Sequence, residues 1–231
     1  MCNNSARGVG TILLCLALGA FMAPLSKADT FGFSRVEPSN SITNVASQLS
    51  VQVTATGVNQ VLFKFEHDAG PGGTAYDATI GQIYFDDNVP ILSSLQEIHD
   101  YQYSSTLYPQ VDFLEGANPG DLPGGTNVVP PFEVTANRAY GAKNPAPTWG
   151  VDPGESVELL FNIASGSTFS DVISSINSGS LRIGLHVISI YGDGESDAYV
   201  STATVVPLPG AVLLGSLGLG FAGWLRRKQN A

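Results

Sequence analysis

Four stretches of the chain alternate apolar and polar residues with a period of two. In 48–56 the apolar set is Leu49, Val51, Val53 and Ala55, and in 61–66 it is Val61, Phe63 and Phe65. In 156–164 it is Val157, Leu159, Phe161 and Ile163, and in 181–191 it is Leu181, Ile183, Leu185 and Val187. Side chains on a strand point to opposite faces in turn, so each run offers one apolar face to a core. Shorter runs at 80–85, 110–114, 132–136 and 197–204 extend the set. About eight strands separated by Gly, Pro, Asn and Asp predict an all-β fold. Its expected form is an antiparallel β-sandwich, jelly-roll-like. One segment breaks the period. Phe169, Val172, Ile173 and Ile176 fall at i, i+3, i+4 and i+7, which is a helical stripe. Thr168 followed three residues later by Asp171 resembles a capping box, and Gly179 can end the helix, so a short helix is expected over 169–177.

The span 109–153 holds eight of the 14 prolines. Segments 116–125 and 143–150 are expected to be irregular but ordered, because proline-rich loops have less freedom to lose on folding.

The two ends follow a different logic. Arg7 precedes an uncharged run from Val9 to Ala23, and Ser26 and Ala28 supply the small residues of a cleavage site. This predicts a signal peptide over 1–28 and a mature start at Asp29. The competing reading is an uncleaved anchor, for which 15 apolar residues are short against the roughly 20 a span requires. At the other end, Val206-Pro207-Leu208-Pro209-Gly210 leads into an uncharged run that stops at Arg226-Arg227-Lys228. From Val205 to Leu225 there are 21 residues, enough to cross a bilayer as a helix. The prolines suit its first turn, and the basic triplet suits a cytoplasmic end. The organisation expected is signal peptide 1–28, an extracytoplasmic domain 29–205, and a C-terminal signal 206–231.

This tail resembles the sorting signal of PEP-CTERM proteins, the substrates of exosortases in Gram-negative bacteria. The Pro-x-Pro motif, the small-residue-rich apolar segment (Gly210, Gly215, Gly218, Gly220, Gly223) and the terminal basic cluster match. Leu208 stands where the family's usual motif has Glu. The resemblance implies cleavage near Pro207–Pro209 by a membrane-embedded exosortase, then release or transfer to the cell surface. Stretches 113–125, 147–154 and 181–199 are also similar to exosortase-dependent surface proteins, a likeness that carries no activity.

Composition sharpens this picture. Both cysteines (Cys2, Cys15) and both methionines (Met1, Met22) lie in the predicted leader, so the mature chain has no sulfur, hence no disulfide and no thiol nucleophile. Within 29–205 five Lys/Arg face all 20 Asp/Glu, a net charge of about −15. Such a body repels nucleic acid and anionic membrane.

A search for catalytic chemistry finds no nucleophile elbow and no phosphate-binding loop. His67, His99 and His186 show no metal-ligand spacing, and His186 and Arg182 are expected on the solvated face of one strand. The expectation is therefore no catalytic residue, no metal and no cofactor. Asp86-Asp87 and the turn Asp193-Gly194-Glu195-Ser196-Asp197 are the oxygen-rich places where calcium could sit. The plainer reading makes them solvated turn residues. Trp149, Tyr101, Tyr103 and Tyr108 could stack on sugars, or simply cover core edges. The function expected is that of an exported, exosortase-sorted surface or matrix protein, non-enzymatic, structural or adhesive. Its partners would be signal peptidase, an exosortase, the membrane before processing, and extracellular polysaccharide. The alternative is a carbohydrate-binding module or glycan-active enzyme, which a concave face lined by aromatics and carboxylates would favour.

Overall fold

The structure is a computed structural model and describes residues 28–70, 75–191 and 194–203. Ten strands carry it: β1 (Ala28–Arg35), β2 (Leu49–Thr56), β3 (Gln60–His67), β4 (Thr79–Asp87), β5 (Leu92–His99), β6 (Phe113–Glu115), β7 (Ala139–Ala142), β8 (Ser156–Ile163), β9 (Leu181–Ile190) and β10 (Glu195–Ser201). Two helices join them, α1 (Ala146–Trp149) and α2 (Phe169–Ser178). Every strand pairing is antiparallel, in the order β5-β8-β3-β2-β1-β10-β9-β4-β7-β6. The all-β expectation holds.

The period-two runs explain the centre of this sheet. Val53 on β2, Phe63 on β3 and Leu159 on β8 lie in register, and all three are fully buried. Strand β1 passes from one neighbour to another: Ala28–Gly32 pair with β2, and Phe33–Arg35 pair with β10. The sheet then curves until its far strands meet across the core. The Phe85 ring of β4 packs edge-on against Phe63 at 5.2 Å and Phe161 at 5.3 Å, on β3 and β8. Edge-to-face contacts of this kind stabilise aromatic pairs beyond their buried area.

Strand β4 is buried on both faces along its whole length. Ile83 and Phe85 face the main core, while Tyr84 faces a second cluster with Leu122, Phe132 and Ala198. The loop that brings Leu122 and Phe132 comes so close that a Cβ on Gly184 would sit 3.0 Å from each. The helix α2 forms as expected. Thr168 and Asp171 make a reciprocal capping box, Val172 and Ile176 are buried, and Gly179 closes it at φ 75°.

Several expectations need correction. The run 132–136 is not a strand, and the pairing segment is β7. Strands β1, β5 and β7, and the short helix α1 inside the expected irregular segment 143–150, were not anticipated. Around 110–114 the strand is the three-residue β6. No helix among the described residues is long and apolar enough to cross a membrane. Residues 1–27 of the predicted leader 1–28, and the segment 204–231, lie outside the described residues, while Ala28 opens β1.

Candidate functional site

The sorting residues Val206, Pro207, Leu208, Pro209 and Gly210, and the basic Arg226, Arg227 and Lys228, lie outside the described residues, as does Asp193. The candidate binding residues of the β-domain can otherwise be placed.

Asp86 and Asp87 end β4 but are neither solvated nor open to a metal. They are 1% and 3% exposed. Asp86 pairs with the buried Arg182 guanidinium and accepts the Glu133 amide at 3.1 Å. Asp87 accepts the amides of Ile91 and Leu92, each at 3.0 Å. Burial pushes its carboxyl above the ordinary range, against the pull of those amides. Asp197 is buried as well, and holds the amides of Asn40 and Ser41. These carboxylates bind their own backbone, so the calcium reading fails at Asp86 and Asp87. No grouping among the described residues could hold a metal ion.

Arg182 and His186 do share one face of β9, but that face is covered. Arg182 is 7% exposed, donating at 2.6 Å to the carbonyls of Pro130 and of Pro131. His186 is half-buried, and its Nδ1 bonds the side-chain oxygen of Gln82 across the β4–β9 pairing. Burial lowers the His186 pKa, with Asp197 pulling the other way, so the ring is neutral. In the orientation the structure has, Gln82 Oε1 faces Nδ1 and can only accept, so Nδ1 carries the hydrogen.

That orientation matters because Gln82 forms the floor of a groove. The groove has a volume of about 340 Å³ and is walled by Glu115 and Asn118 on one side and Lys143, Asn144 and Ala146 on the other. Gln82 is 6% exposed, yet its Nε2 has no hydrogen-bond partner among the described residues. Opposite it on β7 stands Gly141, where a Cβ would lie 3.1 Å from the Gly116 carbonyl, so glycine keeps that wall close. The first wall is fixed by Gly116 N donating to Ala139 O at 2.8 Å and by Tyr84 Oη donating to Pro119 O at 2.8 Å. The second is fixed by Lys143 N donating to Asp112 O at 2.8 Å and by the ion pair of Lys143 Nζ with Asp112 Oδ2 at 3.0 Å. Beyond it, Lys143 lies 5.6 Å over the Trp149 ring, and Trp149 meets Tyr101 edge-on at 6.0 Å.

The aromatic cluster read from the sequence is therefore divided. Tyr101 and Trp149 pack on one another behind Lys143. Tyr103 stacks on His99 at 3.8 Å, and Tyr108 is buried. His99 sits between two carboxylates, Glu97 at 3.0 Å and Glu158 at 2.9 Å. Sequence reasoning missed Gln82, Glu115, Asn118, Lys143 and Asn144. The only signals were the Asn-Pro pairs at 118–119 and 144–145, which mark loops. Another concavity, lined by Glu66, His67, Asp68 and Glu155, has its side chains engaged by Lys64, Gln48 and the amides of Gly70 and Asp152.

Burial also lowers the pKa of His67, which is 1% exposed. Both His67 and His186 therefore lose their proton at lower pH in the fold than an unfolded imidazole, which titrates near 6.5. The unfolded chain binds more protons below that value, so stability is present above it and is lost as pH falls through it. Burial raises Asp87, Asp152 and Glu155, which offsets the loss lower down, as the fold takes up those protons first. The urea midpoint is expected to drop between about pH 7.5 and about pH 5.5. The double variant His67→Gln, His186→Gln should flatten that slope, and an unchanged slope would assign it to other groups.

Comparison with protein-family models, with curated proteins and with solved structures gives no match for this chain.

Proposed function

We propose that the chain is an exported cell-surface or extracellular-matrix protein, sorted by an exosortase and serving a non-enzymatic, structural or adhesive role. The observation that carries this is the tail: Val206-Pro207-Leu208-Pro209-Gly210, an uncharged apolar run, and Arg226-Arg227-Lys228 at its end. The strands run from Ala28 to Ser201, so the β-domain fills the interval between the two predicted signals. A cut after Ala28 leaves Asp29 to pair with Val53 and preserves the rest of β1. A mature body without sulfur and with a charge of about −15 suits an oxidising exterior and resists aggregation.

For the fold we propose a two-layer sandwich in which β1 is the strand shared by both layers. The ring contacts between β3, β8 and β4 support it. The strands β1, β2 and β3 follow one another as neighbours in the sheet. Intact-mass analysis of the protein recovered from the surface of an exosortase-bearing host tests the sorting. The mature form should begin at Asp29 and lack everything after about Pro209. A mass that still includes Lys228 would leave the tail an ordinary anchor and overturn the reading.

A further inference from the structure

We propose that the groove above Gln82 binds a neutral saccharide. The floor carries the argument. A side chain buried to 6% exposure normally has its polar atoms paired, and here the His186 bond occupies the oxygen alone. The Nε2 donor is left facing a groove of about 340 Å³, near the lower end of the roughly 300–1,000 Å³ of small-ligand sites. Groove water can reach that donor, and a ligand hydroxyl would take the water's place as its partner.

The walls decide the ligand class. Asn118 and Asn144 each offer a donor and an acceptor, and Glu115 offers an acceptor; none has a side-chain partner among the described residues. Sugar hydroxyls both donate and accept, so a vicinal pair suits an amide or a carboxylate. Lys143 is neutralised by Asp112, and the body carries about −15, so the groove has no net positive charge to hold a phosphate or a uronate. Lys143 lines the groove and places its ammonium over the Trp149 ring, which packs in turn on Tyr101; the two rings stand behind the lining rather than in it. Tyr101 is 37% exposed and Trp149 half-buried, so both rings reach solvent while anchored. This proposal stands independently of the sorting tail.

Trp149 reports on the site through Lys143, whose ammonium lies over its ring. The chain has two tryptophans, and Trp224→Phe leaves Trp149 alone. The full-length protein carrying that change, in a detergent without a sugar headgroup, is titrated with cellotetraose, maltotetraose, mannotetraose and chitotetraose. A galacturonate tetramer and tetra-alanine serve as the anionic and peptide probes. At least one neutral saccharide is expected to shift Trp149 emission saturably, with a Kd between about 10 µM and 1 mM. Gln82→Leu and the exposed pair Asn118→Ala, Asn144→Ala should each weaken it about 5- to 10-fold. The exposed pair leaves the core untouched, so it keeps the test sound if Gln82→Leu misfolds by circular dichroism. The proposal falls if no neutral saccharide binds by about 10 mM. It falls equally if only the uronate or the peptide binds, or if binding ignores the exposed pair.

Discussion

Replacing Arg182 with leucine is expected to destabilise the domain by about 3–5 kcal/mol, the cost of leaving a buried charge without its partner. Arg182 is the cation of the Asp86 pair, and both side chains are nearly removed from solvent, at 9% and 1% exposure. The substitution strands the Asp86 carboxylate with only the Glu133 amide, and strips the Pro130 and Pro131 carbonyls of their guanidinium donor. It also removes the cation stacked 5.3 Å over Phe132. With an m-value of about 2 kcal/mol/M, the urea midpoint should fall by roughly 1.5–2.5 M. The double variant Asp86→Leu, Arg182→Leu is expected to regain more than half of that, because it removes the stranded charge together with its partner. It should not regain all, since the two proline carbonyls still lack a donor. A single-variant loss below about 1 kcal/mol would show that water reaches the pair, as it does for surface ion pairs.

The pair also explains why this part of the fold was hard to read. Arg182 and His186 occupy the polar positions of a clean period-two run, so the sequence makes their face look solvated. Burial there depends on the loop that carries Leu122 and Phe132 back over Gly184, a contact about 50 residues or more away along the chain. The same loop covers the second face of β4, which erases the alternation that would have marked Thr79–Asp87 as a strand along its full length. β5 was hidden for another reason. Register shifts between Leu92 and Leu95, and between Leu95 and Glu97, space its apolar residues at 92, 95 and 98, a pattern closer to a helix. Phe132 and Val134 alternate as a strand would, yet their segment is held by Arg182 and Asp86 rather than by a ladder.

By contrast, β2, β3, β8 and α2 were legible because each buries one face, and β9 was legible from its inward set although its other face is covered too. In the groove, the loop residues were visible as types. Gln82 was not, because its role arises from pairing with His186 and standing opposite Gly141, neither of which lies near it in sequence.

Phe85→Ala is the other change expected to cost about 3–5 kcal/mol, the range for removing a large aromatic from a packed core. The effect follows from position rather than from size alone. Phe85 has no exposed surface and touches four rings edge-on, Phe63, Phe65, Tyr140 and Phe161, at 5.2, 6.2, 6.1 and 5.3 Å. Those rings belong to β3, β7 and β8; β7 is hydrogen-bonded to β4 but β3 and β8 are not, so the side chain ties β4 to strands with which it shares no ladder. Their backbones are fixed by ladders on both sides, which limits collapse into the cavity, and partial collapse is what lowers the cost of such a deletion. Phe85→Leu keeps part of the volume and should cost about half as much. As a control for a general core effect, Ile163→Val removes one methylene at the end of β8 and should cost no more than about 1.5 kcal/mol. Urea denaturation of the three variants gives the order directly. A Phe85→Ala loss no larger than that of Ile163→Val would mean the rings repack around the gap, and the core would then not depend on this one side chain to hold its two halves together.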